Sequence, residues 1–379
     1  MPTGSSTLRW RACKMNTIAD IFQDYGPEYL EQFGDAMPEN HRKVIKAIIN
    51  CRTAHYGLSV YQCHDCQDQH RVFRSCGDRH CPACQNHKTR HWLQWQLKRQ
   101  LPGPHFLITF TVPEKVRPVM RSNQRIAYNA LFKASSDALR LLAADDRHVG
   151  GDLPGFYGIL HTWGRTLAYH PHIHYVVTAG AVSKADGRWH PSRSSFYVPN
   201  KALSKIYKAK FRDALQKTDL LRDVPDEVWK TPWNVNIQAV GNSEQTLGYL
   251  APYVFKVAIS NSRIIKVNHR QVSFRYKKTK SSRWRTMVLH VMEFMRRFLQ
   301  HVLPTGFMKI RYYGFFHPSS SLSLEKVGIL IELNMGFEIK TPEPGAEAHP
   351  SPLCPSCGGK MKYLYSILPH RMTVALNSG

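Results

Sequence analysis

The chain has 379 residues, nine cysteines and a formal net charge of +25. That length is enough for two or three domains. So large an excess of basic residues predicts binding to a polyanion, with nucleic acid as the first candidate and an anionic membrane surface as the competing one. No apolar run is long enough for a transmembrane helix, and the N-terminus lacks the apolar core of a signal peptide. Without an export signal, the cysteines are expected to be metal ligands rather than disulfides, in a cytoplasmic protein.

The N-terminal part of the chain combines helical segments with a cysteine-rich module. Apolar residues recur at helical spacing over residues 16–50. The cysteine-rich module follows from Cys51 to Cys84, and a helix that carries tryptophan and arginine is expected over residues 87–101. We take residues 1–101 as one small helical and zinc-binding module, which we expect to recognise DNA.

Strands and helices are predicted to alternate in the middle of the chain. The residue patterns predict, in chain order, a strand at 105–112, a helix at 118–144, a strand at 156–163, a histidine-rich strand, a helix at 201–217, a strand at 233–240 and a helix that begins at Ser243. This β-α-β-β-α-β-α order predicts an α+β domain with an antiparallel sheet and helices on one face. We assign residues 102–318 to it.

The C-terminal part is predicted to end in a poorly structured segment. An amphipathic helix is expected over residues 289–302 and a final strand over 307–316. Beyond Pro318 the composition turns to Ser, Pro and Gly, so residues 319–379 are expected to form a loose tail with a CxxC knuckle at Cys354 and Cys357. That knuckle has no obvious partner pair, and its remaining ligands could be nearby histidines or groups across the molecule.

A histidine-rich strand is the most informative motif. His170, His172 and His174 alternate before a Tyr-Val-Val segment, so their side chains project to one face of a strand. Imidazoles roughly 7 Å apart on one face can bind a single divalent ion, although solvent-facing histidines on an edge strand would show the same pattern. If residues 156–177 form a hairpin centred near 167, His161 lies opposite residue 173 and close to His172 and His174. A hydrogen-bonded core histidine is the alternative for His161.

Two tyrosines follow on the helix that begins at Ser243. Tyr249 and Tyr253 are four residues apart and therefore share one helical face. Such a pair usually serves packing, but a phenol is a competent nucleophile toward a phosphate that a metal ion polarises. Pro252 can kink this helix.

The segment after the tyrosines is strongly basic. No aspartate or glutamate occurs between Gln245 and Met292, and Phe274, Tyr276 and Trp284 stand among the basic residues. Basic side chains between aromatic ones suit single-stranded nucleic acid, because the charges follow phosphates while the rings stack on bases; a solvated basic hairpin is the plain alternative. The residues that we expect to bind DNA are Arg263, Lys266, Arg270, Arg275, Lys277, Lys278, Lys280 and Arg283.

The cysteine-rich module has the spacing of a zinc site. Cys63 and Cys66 form one CxxC pair and Cys81 and Cys84 another, and two such pairs complete a tetrahedral zinc site that has no open position for catalysis. The remaining cysteines and histidines of the module could form a second zinc site, although the sequence does not show which of them pair: Cys51, Cys76 and His80, with His55, His64 and His70. Cys51 or Cys76 could also be an unliganded thiol.

Several of these strings together resemble one known family. The cysteine strings from Cys63 to Gln85 resemble the transposase zinc-binding domain. The strings His161-Thr-Trp-Gly164, His170-Pro-His-Ile-His174, Tyr249-Leu-x-x-Tyr253 and Ala258-Ile-Ser-Asn-Ser-Arg263 resemble the HUH-type, two-tyrosine transposases of bacterial rolling-circle insertion sequences. The match runs from about residue 40 to 318, and Pro252 departs from the pattern.

The resemblance implies a metal-dependent enzyme that nicks single-stranded or hairpin DNA ends and transfers strands. His172 and His174 would hold Mg²⁺ or Mn²⁺, Tyr249 or Tyr253 would form a 5′-phosphotyrosine link, and zinc would be structural. A hard ion also requires an oxygen ligand, which Gln245 or Glu244 could supply, while His161 is a further candidate. The location implied is bacterial and nucleoid-associated, with DNA as partner and no membrane.

Other functional interpretations share part of these features. A plasmid replication initiator or relaxase would use the same nick-and-join chemistry, and the cysteine module favours the transposase over it. A zinc-dependent DNA-binding regulator without catalysis accounts for the charge and the cysteines. It leaves the histidine strand and the tyrosine pair without a role.

Overall fold

The computed structural model describes residues 17–241, 258–278, 281, 283–336 and 352–369. Its helices are α1 (Ile18–Phe33), α2 (Glu39–Ile49), α3 (Gln85–Leu97), α4 (Arg117–Ser122), α5 (Gln124–Ala143), α6 (Asn200–Gln216), α7 (Glu227–Lys230), α8 (Val291–Leu299) and α9 (Leu324–Met335). Its strands are β1 (Leu58–Cys63), β2 (Gln69–Phe73), β3 (His105–Thr111), β4 (Leu153–Trp163), β5 (Tyr169–Val182), β6 (Trp189–Pro191), β7 (Val235–Val240), β8 (Ile264–Asn268), β9 (Gln271–Lys277), β10 (Trp284–His290), β11 (Ile310–Tyr313) and β12 (Met361–Ile367).

The central sheet has six antiparallel strands. Its order is β11-β4-β5-β3-β7, and the short strand β6 pairs with β5 beside this path. The predicted α+β class and antiparallel sheet are therefore confirmed. The long β4–β5 hairpin lies next to β3, so the histidine strand is paired on both sides.

Helices cover both faces of this sheet, although the sequence predicted helices on one face. On the first face, Phe106, Ile108 and Phe110 of β3 pack against α5 and α6 in the main core. On the second face, Trp92 of α3 packs edge-on against Tyr157, with ring centroids 6.2 Å apart. A helix also packs on the second face because this face carries apolar side chains that must be buried from water. They are Leu107, Tyr157, Ile159 and Val176.

The N-terminal helices share a core with the basic region. Thr17 caps α1 through a capping box with Asp20. The ring of Phe22 on α1 meets that of Phe298 on α8 with centroids 5.0 Å apart, and the same buried cluster contains Phe274 of β9. The basic strands β8, β9 and β10 form a small antiparallel sheet of order β10-β9-β8 beside it.

The described residues of the C-terminal part are folded, whereas the sequence predicted a loose tail over 319–379. Helix α9 packs Val327 and Ile331 into a buried cluster with Trp189. Strand β12 pairs antiparallel with β1 in a sheet of order β12-β1-β2. The alternating pattern from Met361 to Ile367 is that of a strand, but the Ser, Pro and Gly content before it dominated the composition of the region. Within the described ranges, no helix is long and apolar enough to span a membrane.

Candidate functional site

Three histidines lie side by side on the β4–β5 hairpin. His161 of β4 is paired directly with His172 of β5, and His174 is paired with Ile159. The sequence placed residue 173 opposite His161, and this register is wrong by one residue. The connecting turn is closed by a Gly164 N–H bond to the Ala168 carbonyl, and a bulge lies between residues 161 and 163. This register puts all three imidazoles on one face.

The three side chains have the geometry of a metal site. One nitrogen from each ring lies within 4.8 Å of the others, and the His172 and His174 ring centroids are 4.8 Å apart. Nitrogen ligands of one ion with bonds of about 2.1 Å stand roughly 3–3.4 Å apart, so small side-chain shifts would complete the site. His170 lines the same cleft but is not part of this three-histidine cluster.

Hydrogen bonds orient two of the imidazoles. The Nδ1–H of His172 donates to the His170 carbonyl at 2.7 Å, which leaves its Nε2 as the ligand atom. The Nδ1 of His174 lies 2.8 Å from the Thr109 hydroxyl oxygen. Such outer hydrogen bonds fix the tautomer and ring orientation of metal-binding histidines.

Burial keeps these imidazoles neutral. It lowers the pKa of His172 to about 4 and the pKa of His174 to about 3, and the neighbouring imidazole adds to the second effect. Near neutral pH both rings therefore keep the lone pair that a metal ion requires.

The cluster faces a cleft of about 450 Å³. In the described part of the chain, the end of the β4–β5 hairpin, residues 258–263 and the strands β9 and β10 line it. Their side chains there include Trp163, Arg165, Arg263, Lys277 and Trp284. Trp284 is 53% exposed, and the Lys277 ammonium lies 5.1 Å from the centroid of its ring. The cleft is therefore both basic and aromatic.

The predicted DNA-binding residues fall into two groups. Lys266, Lys277, Lys278 and Arg283 have exposed side chains. Arg263, Arg270 and Arg275 make internal contacts, although Arg270 and Arg275 are exposed as well. Arg263 Nε donates to the Arg275 carbonyl at 2.7 Å, Arg275 donates to the Ser262 carbonyl, and Arg270 pairs with Glu28 of α1. Lys280 lies outside the described residues.

The predicted nucleophiles Tyr249 and Tyr253, with Gln245 and Glu244, also lie outside the described residues. The described chain resumes at Ala258, and Ala258, Ile259 and Ser260 line the histidine cleft. Ala258, which lines the cleft, is thus five residues after Tyr253 in the sequence.

The eight cysteines within the described ranges form two separate clusters of four. Cys51, Cys76, Cys81 and Cys84 make one and Cys63, Cys66, Cys354 and Cys357 the other. The prediction that the 63/66 and 81/84 pairs share one ion is therefore wrong, because CxxC spacing fixes each pair but not which pairs meet. In the first cluster Cys84 Sγ lies 3.5 Å from the sulfurs of both Cys51 and Cys76.

His80 has a different position from the one expected of a zinc ligand. Its Nε2 accepts a hydrogen bond from the Leu303 N–H at 3.1 Å, and its ring is buried next to Asp78. Burial lowers its pKa. His80 thus contacts the segment after α8 and is absent from both cysteine clusters.

Sequence reasoning missed Thr109 and Arg165. Thr109 stands opposite His174 in the β3–β5 pairing, and nothing in its strand pattern marks it as a partner of that ring. Arg165 lies in the turn of the hairpin and donates to the Lys278 carbonyl at 2.7 Å, which ties the turn to the end of β9. Its position in the His-Thr-Trp-Gly-Arg string next to the histidine strand was the available signal.

Comparison with known proteins agrees with both parts of the chain. A transposase zinc-binding domain matches residues 21–112, and a putative transposase family matches residues 155–323. A putative transposase of Sinorhizobium fredii (strain NBRC 101917 / NGR234) is 36% identical over 318 residues, which cover 79% of this chain and 79% of the relative. The transposase for insertion sequence element IS801 of Pseudomonas savastanoi pv. phaseolicola is 27% identical over 358 residues, which cover 86% and 83%.

No solved structure matches the chain significantly. The identity and coverage of the relatives are nevertheless sufficient to assign the family, and the zinc-binding domain accords with a cysteine cluster inside the matched range. The chain therefore belongs to the IS91/IS801 family of transposases, enzymes that act on DNA and carry an N-terminal zinc-binding domain.

Proposed function

We propose that this transposase nicks and rejoins single-stranded DNA at the ends of an insertion sequence through a 5′-phosphotyrosine intermediate, in a rolling-circle manner. The observation that carries the proposal is the cluster of His161, His172 and His174 on the face of a cleft with basic and aromatic walls. A polynucleotide strand in this cleft would place a phosphate next to the three imidazoles.

The three histidines fit a divalent cation. Two of them, His172 and His174, are neutral donors, and outer hydrogen bonds hold their rings on the hairpin. An all-imidazole donor set favours a transition ion such as Mn²⁺ over Mg²⁺, which prefers oxygen ligands. When bound, the ion would polarise the scissile phosphate and stabilise its developing charge. Of the candidates for third ligand, we favour His161, because it is paired with His172.

The nucleophile in this proposal is Tyr249 or Tyr253. The phenolic oxygen attacks phosphorus, the bond to the 3′ oxygen breaks, and the leaving strand keeps a free 3′-hydroxyl. Attack by a 3′-hydroxyl on the phosphotyrosine reverses these steps and regenerates the phenol. The phosphodiester is exchanged rather than hydrolysed, so rejoining requires no nucleotide cofactor. Two tyrosines permit a second cleavage while the first strand remains attached.

The cleft walls would bind the strand on both sides of the cut. Lys277 in the wall and the exposed Lys278 next to it in sequence supply charge for phosphates, and the exposed Trp284 offers a ring for stacking on a base. Arg263 and Arg275 act mainly by holding the wall in shape, because they donate to backbone carbonyls.

The test is a cleavage assay on labelled single-stranded DNA that carries the element's own end, with Mn²⁺ or Mg²⁺. Wild type, Tyr249→Phe, Tyr253→Phe and the double variant are compared on a denaturing gel. A covalent protein–DNA band that disappears in the double variant supports the proposal, and loss in one single variant identifies the sole nucleophile. A band of wild-type strength in the double variant contradicts it.

A further inference from the structure

The second cysteine cluster joins two distant parts of the chain. Cys63 and Cys66 lie at the end of β1, whereas Cys354 and Cys357 precede β12. Because β12 is paired with β1, with Met361 opposite Cys63, the two CxxC turns meet at the same end of the sheet. Cys354 and Cys357 lie outside both family-matched ranges, 21–112 and 155–323.

The two turns have the same local conformation. In each, the residue after the second cysteine has positive φ: Gln67 at 61° and Gly358 at 77°. In each, the first cysteine N–H donates to the carbonyl five residues later, Cys63 to Asp68 at 2.9 Å and Cys354 to Gly359 at 2.7 Å. A non-glycine residue at positive φ is uncommon, so the left-handed Gln67 indicates that this turn is imposed by its surroundings.

The sulfur positions fit one tetrahedral ion. Cys63 Sγ lies 3.4 Å from Cys357 Sγ, and Cys66 Sγ lies 3.7 Å from Cys354 Sγ. All four sulfurs lie within 4.8 Å of one another. Four thiolates around zinc at about 2.3 Å stand roughly 3.8 Å apart, whereas a disulfide requires about 2.05 Å. His70 Nε2, 3.3 Å from Cys354 Sγ, is placed to donate a hydrogen bond to that sulfur.

The turns also hold each other closely. The His64 N–H donates to the Lys360 carbonyl at 2.9 Å. At Gly359 an added Cβ would lie 2.1 Å from an Asp65 carboxylate oxygen and 3.1 Å from Cys63 Sγ. A side chain at position 359 would displace the exposed Asp65 carboxylate and crowd Cys63 Sγ, so glycine favours this close approach of the two cysteine pairs.

Among the described residues, the apolar core of this sheet is small, although Val60 of β1 is also buried. Its buried cluster consists of Cys63, Cys354 and Met361, with Tyr61 packed against it. Tyr363 and Tyr365 of β12 remain about half exposed, at 52% and 50%. A sheet with so small a core usually requires a metal or a disulfide to remain folded.

We propose that Cys63, Cys66, Cys354 and Cys357 bind a second structural zinc ion that fastens β12 to the N-terminal module. The chain then holds two zinc ions, with the other at Cys51, Cys76, Cys81 and Cys84. The second site is divided between the two ends of the sequence, so the fold of the zinc-binding module includes the C-terminal strand.

Native mass spectrometry of the full-length protein measures zinc per chain. Wild type is expected to hold two ions and Cys354→Ser/Cys357→Ser one, with new protease cleavage within residues 352–369. Cys13→Ser, the matched control, is expected to keep two. One ion in wild type, or two in the double variant, overturns the proposal.

If the double variant fails to fold, wild type alone provides the test. The Cys66 and Cys357 residues are exposed, so free thiols there would react with N-ethylmaleimide at once. Zinc ligation predicts that both are protected until a chelator is added and then react together with Cys63 and Cys354. Labelling of Cys66 and Cys357 at the rate of a free thiol in the zinc-replete protein contradicts the site.

Discussion

Replacing Thr109 by valine tests how His174 is held. For His174 Nε2 to serve as a metal ligand, its Nδ1 must carry the proton and donate to the Thr109 hydroxyl, 2.8 Å away. Valine keeps the shape of threonine but removes this acceptor, so the imidazole loses its fixed tautomer and orientation. Losing such an outer partner typically weakens metal binding about 10–100-fold, or roughly 1.4–2.8 kcal/mol.

The assay is a Mn²⁺ titration of single-strand cleavage, with Mn²⁺ affinity measured in parallel by calorimetry. We expect the half-saturating Mn²⁺ concentration to rise about 10–100-fold in Thr109→Val, with most of the activity recovered at saturating Mn²⁺. Thr111→Val is the matched control, because Thr111 lies on the same strand opposite His172 and its hydroxyl donates to the Asn234 carbonyl. Equal Mn²⁺ requirements in the two variants would refute the assigned role of Thr109.

Three further predictions concern the cleft wall and the core. Trp284→Ala should weaken single-stranded DNA binding by about 1–3 kcal/mol through lost stacking, measured by fluorescence anisotropy; unchanged affinity would contradict a stacking role. Lys277→Gln should reduce the slope of log binding constant against log salt concentration by about 0.7. Arg270→Gln should leave this slope unchanged, because Arg270 pairs with Glu28; equal slopes in the two variants would contradict the different roles of Lys277 and Arg270. Burial lowers the pKa of His301 from 6.5 to about 3, so the stability that neutral His301 contributes is complete above pH 6.5 and declines as the pH falls toward 3. At pH 5 this loss is roughly 2 kcal/mol. The free energy of unfolding, measured in urea at pH 7 and pH 5, should therefore change less with pH in His301→Gln than in wild type. An equal change in both proteins would contradict the role given to His301.

The order of strands and helices around the histidine hairpin could be predicted from the sequence. Strands β3, β4 and β7 and helix α6 lie within a few residues of their predicted limits, and the histidine-rich strand is present as β5, because β-branched and periodic apolar residues mark these elements. The predicted helix at 118–144 is divided into α4 and α5 at Asn123. Proximity of His161 to the other two histidines was also predictable from the hairpin. The direct pairing of His161 with His172 could not be predicted, because the bulge near Trp163 that shifts the register leaves no signal in the sequence.

Long-range pairing was the main feature that the sequence could not supply. The CxxC spacing defines each cysteine pair, but the pairing of 63/66 with 354/357 depends on β12 lying against β1. The sequence likewise could not show which basic residues line the cleft. Lys277 and Arg270 count equally as charges in the sequence, yet one lines the cleft and the other pairs with an acidic residue of α1.

The most direct test of the catalytic proposal is the metal dependence of the covalent protein–DNA adduct. Adduct yield and DNA affinity are measured on the same preparations of wild type and His172→Ala/His174→Ala, with Mn²⁺ or with a chelator. The account predicts an adduct in wild type with Mn²⁺, a loss of roughly 1000-fold or more in the variant, and DNA affinity within about threefold of wild type, since the basic wall is intact. An adduct that forms equally well in the variant, or in wild type with chelator, would contradict the histidine cluster as the catalytic metal site.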